Sequence, residues 1–274
     1  MAAKKPVSWR SRFKYSWLKY GVMFAGLFLL LASGIFASQQ MEQFLMRDPR
    51  FFLPGPADYG LESPNLEIEG IQYAARASVL NVFSKDYGRS LYLMPLADRR
   101  KTLLHINWIK EVSILRLWPN RVVVRIAERR PAAFLDVKVD GMSRWSLIDS
   151  DGVILEPPAR ADFKLPVITG VLKGESIAMR GTRVRRMQRM MKELGPLADN
   201  VSEVRVSDLD DLCITESLSG RAVVLMLGDR NFAGRVRNFI DHYSGIVQKM
   251  PGATNFDLRL DDRITAVEGE HNGL

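Results

Sequence analysis

The sequence predicts a membrane-anchored α+β protein: one transmembrane helix, a domain of order β-α-α-β-β, and then a mostly-β domain with two helices. Three observations carry this. Residues Tyr20 to Ser38 (YGVMFAGLFLLLASGIFAS) hold no charge and follow a flank with Lys4, Lys5, Arg10, Arg12, Lys14 and Lys19 and no acid. From Leu66 to Glu128, apolar residues recur first as in a strand, then twice as in a helix, then twice more as in strands. From Pro131 onward, short alternating runs punctuated by turn residues outnumber helical ones.

The apolar run is close to the roughly 20 residues that cross a bilayer core. Trp9, Phe13, Tyr15, Trp17 and Tyr20 supply aromatic groups at interface depth. The basic flank places residues 1–19 in the cytoplasm, 20–38 in the membrane and the remainder outside it. A cleaved signal peptide is the competing reading, since Ala32, Gly34 and Ala37 are small. The run exceeds a usual signal core, which favours a retained anchor in the inner (cytoplasmic) membrane.

Residues 39–65 contain Pro49, Pro54, Pro56 and Pro64, read as a linker with a short strand near Arg50–Leu53. The first domain is expected over 66–130. Leu66–Glu69 alternates up to Gly70, Ala75–Phe83 is helical, Leu91–Leu93 turns inward, and Pro95 opens a second helix through Leu104. Two strands, 108–117 and 121–128, meet at a Trp118-Pro119-Asn120 turn. The second domain is expected over 131–267, with 268–274 as a flexible tail. Its strands are read at 132–139, 145–148, 153–155, 165–170, 201–206, 212–216, 222–227, 255–260 and 264–267. Its helices are read at 182–194 and 232–247. Asp140-Gly141 and Asp149-Ser150-Asp151-Gly152 are turn signals.

Composition narrows function. With 274 residues, 47% hydrophobic and 26% charged, the chain suffices for two folded domains. Lys plus Arg is 39 against 31 Asp plus Glu, a net charge of +8. Much of that excess precedes Glu42, the first acid, so it speaks of topology and anionic lipid rather than nucleic acid. The single cysteine, Cys213, excludes an intramolecular disulfide and reads as a buried thiol. His105, His242 and His271 have no ligand spacing. The acids Asp208, Asp210 and Asp211 read as a solvated turn, and the basic run 183–189 as a solvated helix face. No phosphate loop or nucleophile elbow is present, so no catalytic, cofactor or metal residue is assigned, and no small-molecule substrate.

Several motifs in order resemble the FtsQ/DivIB family of bacterial cell-division proteins, whose first domain is a POTRA module. They are Trp108-Ile109-Lys110-Glu111-Val112, Trp118-Pro119, and Glu128-Arg129-Arg130-Pro131-Ala132-Ala133. Leu147-Ile148-Asp149 with Gly152-Val153, then Leu165-Pro166 with Ile168 and Gly170, and finally Phe256-Asp257-Leu258-Arg259 continue the series. The resemblance implies a non-catalytic divisome scaffold at the septum. It would link early and late division proteins and bind FtsB- and FtsL-like partners that control septal peptidoglycan synthesis. It also implies that a partner strand adds beside the last strands. The expected contact set is Leu258, Arg259, Leu260, Arg263, Ile264, Thr265, Ala266 and Val267, the arginines selecting acidic partner groups. Position 260 is Leu where better-known members have an aromatic. Glu128, Arg129 and Pro131 are expected to set the joint between domains. The alternative is a POTRA-type periplasmic chaperone or transport component, which usually carries tandem POTRA units and a long barrel. A wall-acting enzyme would need a nucleophile or metal cluster.

Overall fold

The computed structural model describes residues 9–56, 62–139, 142–159 and 162–267. The expected tail at 268–274 and the Asp140-Gly141 turn lie outside them. Helix α1 spans Trp9–Arg47 without a break. It runs well past the predicted span because Gln39 to Arg47 holds neither Pro nor Gly, and it stops where Asp48 precedes Pro49. A window of this helix is apolar enough to cross a membrane and is wholly exposed. The stretch expected as a short strand near 50–53 begins as a 3-10 turn, Pro49–Phe51, capped by the Asp48 carboxylate on the Arg50 N–H, and only Phe52 forms a β-bridge, antiparallel to Ser90.

The rest follows the predicted order. Strand β1 (Leu66–Glu69), α2 (Arg76–Val82), α3 (Leu96–Leu104), β2 (Ile109–Leu117) and β3 (Arg121–Glu128) form a three-stranded sheet, order β1-β3-β2, with two helices. Strand β1 pairs parallel to β3, Leu66 opposite Val122. Val122, Val123 and Val124 are all buried, as a central strand covered on both faces requires. At Gly70, φ is +83°, and a Cβ would lie 2.0 Å from the Ile126 carbonyl oxygen, so only glycine fits. The Trp118–Pro119 bond in the β2–β3 turn is cis.

A nine-stranded sheet follows. Its strands are β4 (Pro131–Val139), β5 (Met142–Asp149), β6 (Ile154–Leu155), β7 (Val167–Thr169), β8 (Val201–Arg205), β9 (Leu212–Leu218), β10 (Arg221–Gly228), β11 (Asn255–Asp257) and β12 (Thr265–Ala266). Their order is β12-β11-β10-β9-β8-β7-β4-β5-β6. Helices α4 (Ile177–Leu194) and α5 (Phe232–Lys249) contribute Val184, Met187, Met190, Leu194, Phe232, Val236 and Phe239 to the same core as Ile214, Leu225 and Phe256. Ser176 caps α4, accepting from the Met179 N–H, which starts the helix earlier than its apolar spacing suggests.

The chain divides into two compact units, and the division differs from a cut between 130 and 131. Gln72–Ala74, Leu104–Glu111 and Ala127–Arg130 group with the second unit. Bonds within that unit explain it. The Glu128 carboxylate accepts from the Gln72, Tyr73 and Ala74 N–H groups at 2.7–3.0 Å. The Arg129 N–H donates to the Trp108 carbonyl, and the Trp108 indole N–H to the Glu156 carbonyl.

Candidate functional site

The sheet ends at β12, which pairs antiparallel with β11 and has no strand beyond it among the described residues. The Val267 N–H donates to the Asn255 carbonyl. By antiparallel alternation, the N–H and C=O of Ala266 therefore point away from β11, into the open. Thr265 and Ala266 are exposed, Ile264 is half-buried against the core, and Val267 is exposed. Beside them a groove of about 230 Å³ is lined by Asn231, by Gly234, Arg235 and Asn238 of α5, and by Leu258, Leu260, Asp261 and Ile264. An open main-chain edge next to a groove of mixed polar and apolar lining can take an extended segment and one of its side chains.

Two of the predicted contact residues are placed otherwise. Leu258 is only 2% exposed and belongs to the core, its N–H donating to the Met226 carbonyl. Arg259 is already neutralised within the chain. Its side chain is held by both Asp257 carboxylate oxygens and, through Nη1, by Asp211 at 3.0 Å. The Asp257 carboxyl sits below its usual range, first because Arg259 donates to it. Asp211 is thus an ion-pair partner, not a free turn acid. Leu260 is 54% exposed, and among the described residues Arg263 pairs only with the neighbouring Asp262. Both last strands are shorter than predicted. The Asp257 carboxylate takes the Arg259 N–H at 2.9 Å, which turns the chain out of the strand at Leu258.

Sequence reasoning missed Arg235. Its guanidinium is buried and donates to the carbonyls of Leu227 (2.5 Å) and Arg259 (2.7 Å) and to Asp261 Oδ1 (3.0 Å). Gly228, at φ +71°, leaves it room: a Cβ there would lie 3.1 Å from Nη1. Arg235 thus ties α5 to β10 and to the loop carrying the chain into β12. The signal was present, because Phe232, Arg235, Val236 and Phe239 recur at helical spacing and put a cation on the apolar stripe.

The motif residues at 128–131 hold their own unit together. Besides the Glu128 bonds, Arg129 Nη1 meets Asp149 at 2.8 Å and Asp151 at 3.1 Å. Asp149 also accepts from the Asp151 and Val153 N–H groups, so the Asp149–Gly152 stretch is a braced turn. Pro131 opens β4 opposite Asp149, at the strand's first position and just before a register shift. Among the described residues no group of three or more His, Cys, Asp or Glu could hold a metal ion. Burial raises the Cys213 thiol above its usual range.

Glu216 is fully buried on the core face of β9, in line with Ile214, opposite Val201 and Val223, and among the described residues no donor meets either carboxylate oxygen in good hydrogen-bond geometry. Burial pushes its carboxyl up, and the Asn200 side chain offsets only part of this. The folded chain therefore holds the proton more tightly than the unfolded chain. That advantage is complete below the unfolded value and is lost as pH rises through the raised folded one. Glu216→Gln is expected to stabilise the protein at pH 8 by on the order of 1 kcal/mol and to have little effect near pH 4. Thermal melts of both proteins across that range check it, and a pH-independent difference would contradict the assignment.

Comparison with known proteins matches residues 64–129 to the POTRA domain, FtsQ-type, and residues 138–259 to the C-terminal domain of cell division protein FtsQ/DivIB. A cell division protein FtsQ from Koribacter versatilis is 30% identical over 215 residues, covering 76% of this chain and 61% of that protein. One from Novosphingobium aromaticivorans is 29% identical over 209 residues, covering 76% and 62%. One from Myxococcus fulvus is 25% identical over 185 residues, covering 63% of each. The matched stretch thus spans about three fifths of these relatives. With both family models matched in order along one chain, behind a single apolar helix, the protein belongs to the FtsQ/DivIB family of cell-division proteins.

Proposed function

We propose that this chain is a non-catalytic cell-division scaffold that links early and late division proteins and captures an FtsB-like partner, with FtsL, on the β12 edge. Residues 1–19 lie in the cytoplasm, 20–38 cross the inner membrane, and 39–65 lead to a POTRA domain at 66–130. The β domain at 131–267 lies outside the membrane at the septum and presents its last strand. The observation that carries this reading is the open Ala266 edge at the end of the nine-stranded sheet.

On this reading Ile264, Thr265, Ala266 and Val267 make the contact, Leu260 and Arg263 flank it, and Leu258 and Arg259 support it from behind. A partner strand antiparallel or parallel to β12 would complete the ladder, with main-chain bonds supplying affinity and the groove supplying selectivity. Glu128, Arg129 and Pro131 set the joint by fixing residues 72–74, Trp108 and the Asp149 turn.

A fluorescent fusion of the full chain is expected at midcell, and its depletion is expected to give filaments. Uniform envelope fluorescence with normal division on depletion would refute the proposal.

A further inference from the structure

The end of α1 is fastened to the folded part of its unit without slack. The Ser90 hydroxyl donates to the Leu45 carbonyl at 2.6 Å, and the Tyr92 hydroxyl lies 3.3 Å from Glu42 Oε1. Phe44 meets Phe51 edge-on at 5.4 Å, and Phe51 meets Trp118 at 5.6 Å. The uncharged run 20–38 is roughly 28 Å long as a helix, close to the hydrocarbon thickness. Glu42 to Leu45 then lie roughly 6–10 Å beyond its end, within or just past a headgroup layer about 5–8 Å deep.

What lies at that level is not an ordinary soluble surface. Leu93 is 56% exposed and Trp118 49%, and Tyr92 is also exposed. A cavity of about 480 Å³ opens there, lined by Met46 of α1 and by Phe52, Arg89, Leu93 and Met94. Arg47 and Arg89 are exposed and form no ion pair among the described residues; of the nearby acids, Asp48 and Asp86 are bound to Arg50 and Arg99, and exposed Glu42 accepts from the Tyr92 hydroxyl.

We propose that this face of the first unit rests on the bilayer that α1 crosses and takes anionic phospholipid headgroups. Leu93, Tyr92 and Trp118 enter the interface, and Arg47 and Arg89 meet the phosphates. The occupant is the membrane because α1 is continuous with this face and delivers it at that depth. The inference rests on the reading of α1 as an anchor.

The test uses the full chain with Cys213→Ala in lipid nanodiscs, spin-labelled at Leu93→Cys or at Leu30→Cys, with depth read from relative collision with oxygen and a nickel chelate. The Leu30 label is expected in the hydrocarbon. The Leu93 label is expected at headgroup depth when the disc contains roughly one-third phosphatidylglycerol, and nearer water in pure phosphatidylcholine. Arg47→Glu and, separately, Arg89→Glu are expected to reduce that difference at least twofold. A Leu93 label as open to the nickel chelate as a free label, with Leu30 still buried in lipid, would overturn the proposal alone. Equal Leu93 depth in both lipids would overturn the anionic preference. A water-exposed Leu30 label would overturn the anchor reading beneath it.

Discussion

Ala266→Pro is expected to weaken capture of the FtsB-like partner roughly 10- to 100-fold while leaving the fold intact. The Ala266 N–H points away from β11, so proline removes a donor to the partner without touching the bond from the Val267 N–H to the Asn255 carbonyl. Ile264→Asp is expected to go further, since it puts a charge where the edge meets the groove and the core. A stop codon after Asp262 removes β12 altogether. A stop after Leu258 is a poorer experiment, because it also strips Arg259 and Asp261 from Arg235. Co-purification of the partner with each full-length variant in detergent, beside a thermal melt, checks this. Undiminished capture by Ala266→Pro and by the shorter chain would place the partner elsewhere.

Arg235→Leu is expected to destabilise the second unit by about 3 kcal/mol and to reduce partner capture with it. Leucine leaves the buried Leu227 carbonyl without this donor, removes the bond to the Arg259 carbonyl and frees the loop that presents β12. Asp261→Asn is expected to cost much less, because that carboxylate is largely exposed and its pair with Arg235 is screened. Urea unfolding of the two variants separates the cases. Equal, small losses would mean that Arg235 acts only through Asp261.

The element order from Leu66 to Glu128 was legible because each element there is short and carries its own period. Strand β10 and helix α5 were legible because each carries its own period over its whole length. Prolines from Pro49 onward suggest an irregular linker, yet nothing between Gln39 and Arg47 breaks a helix, and α1 runs to Arg47. Apolar alternation continues through Leu258 and Leu260, whereas Asp257 and Arg235 capture the backbone there and end the strand early. The closed state of Arg259 is invisible along the chain because Asp211, its partner across 3.0 Å, is far away in sequence.

Short windows of sequence settle what depends on neighbours along the chain: the uncharged span, the turn signals and the helical stripes. Edge status is different in kind. Whether Ala266 faces a strand or solvent depends on β11 and on the absence of a further neighbour, and β11 in turn lies beside β10, from which a whole helix separates it. The same holds for charge. Arg235, Arg259 and Glu216 look alike as polar residues within patterned runs. Only the packed structure makes the first a clamp, the second a closed ion pair and the third an unpartnered carboxyl, because pairing and desolvation are set by residues brought close in space.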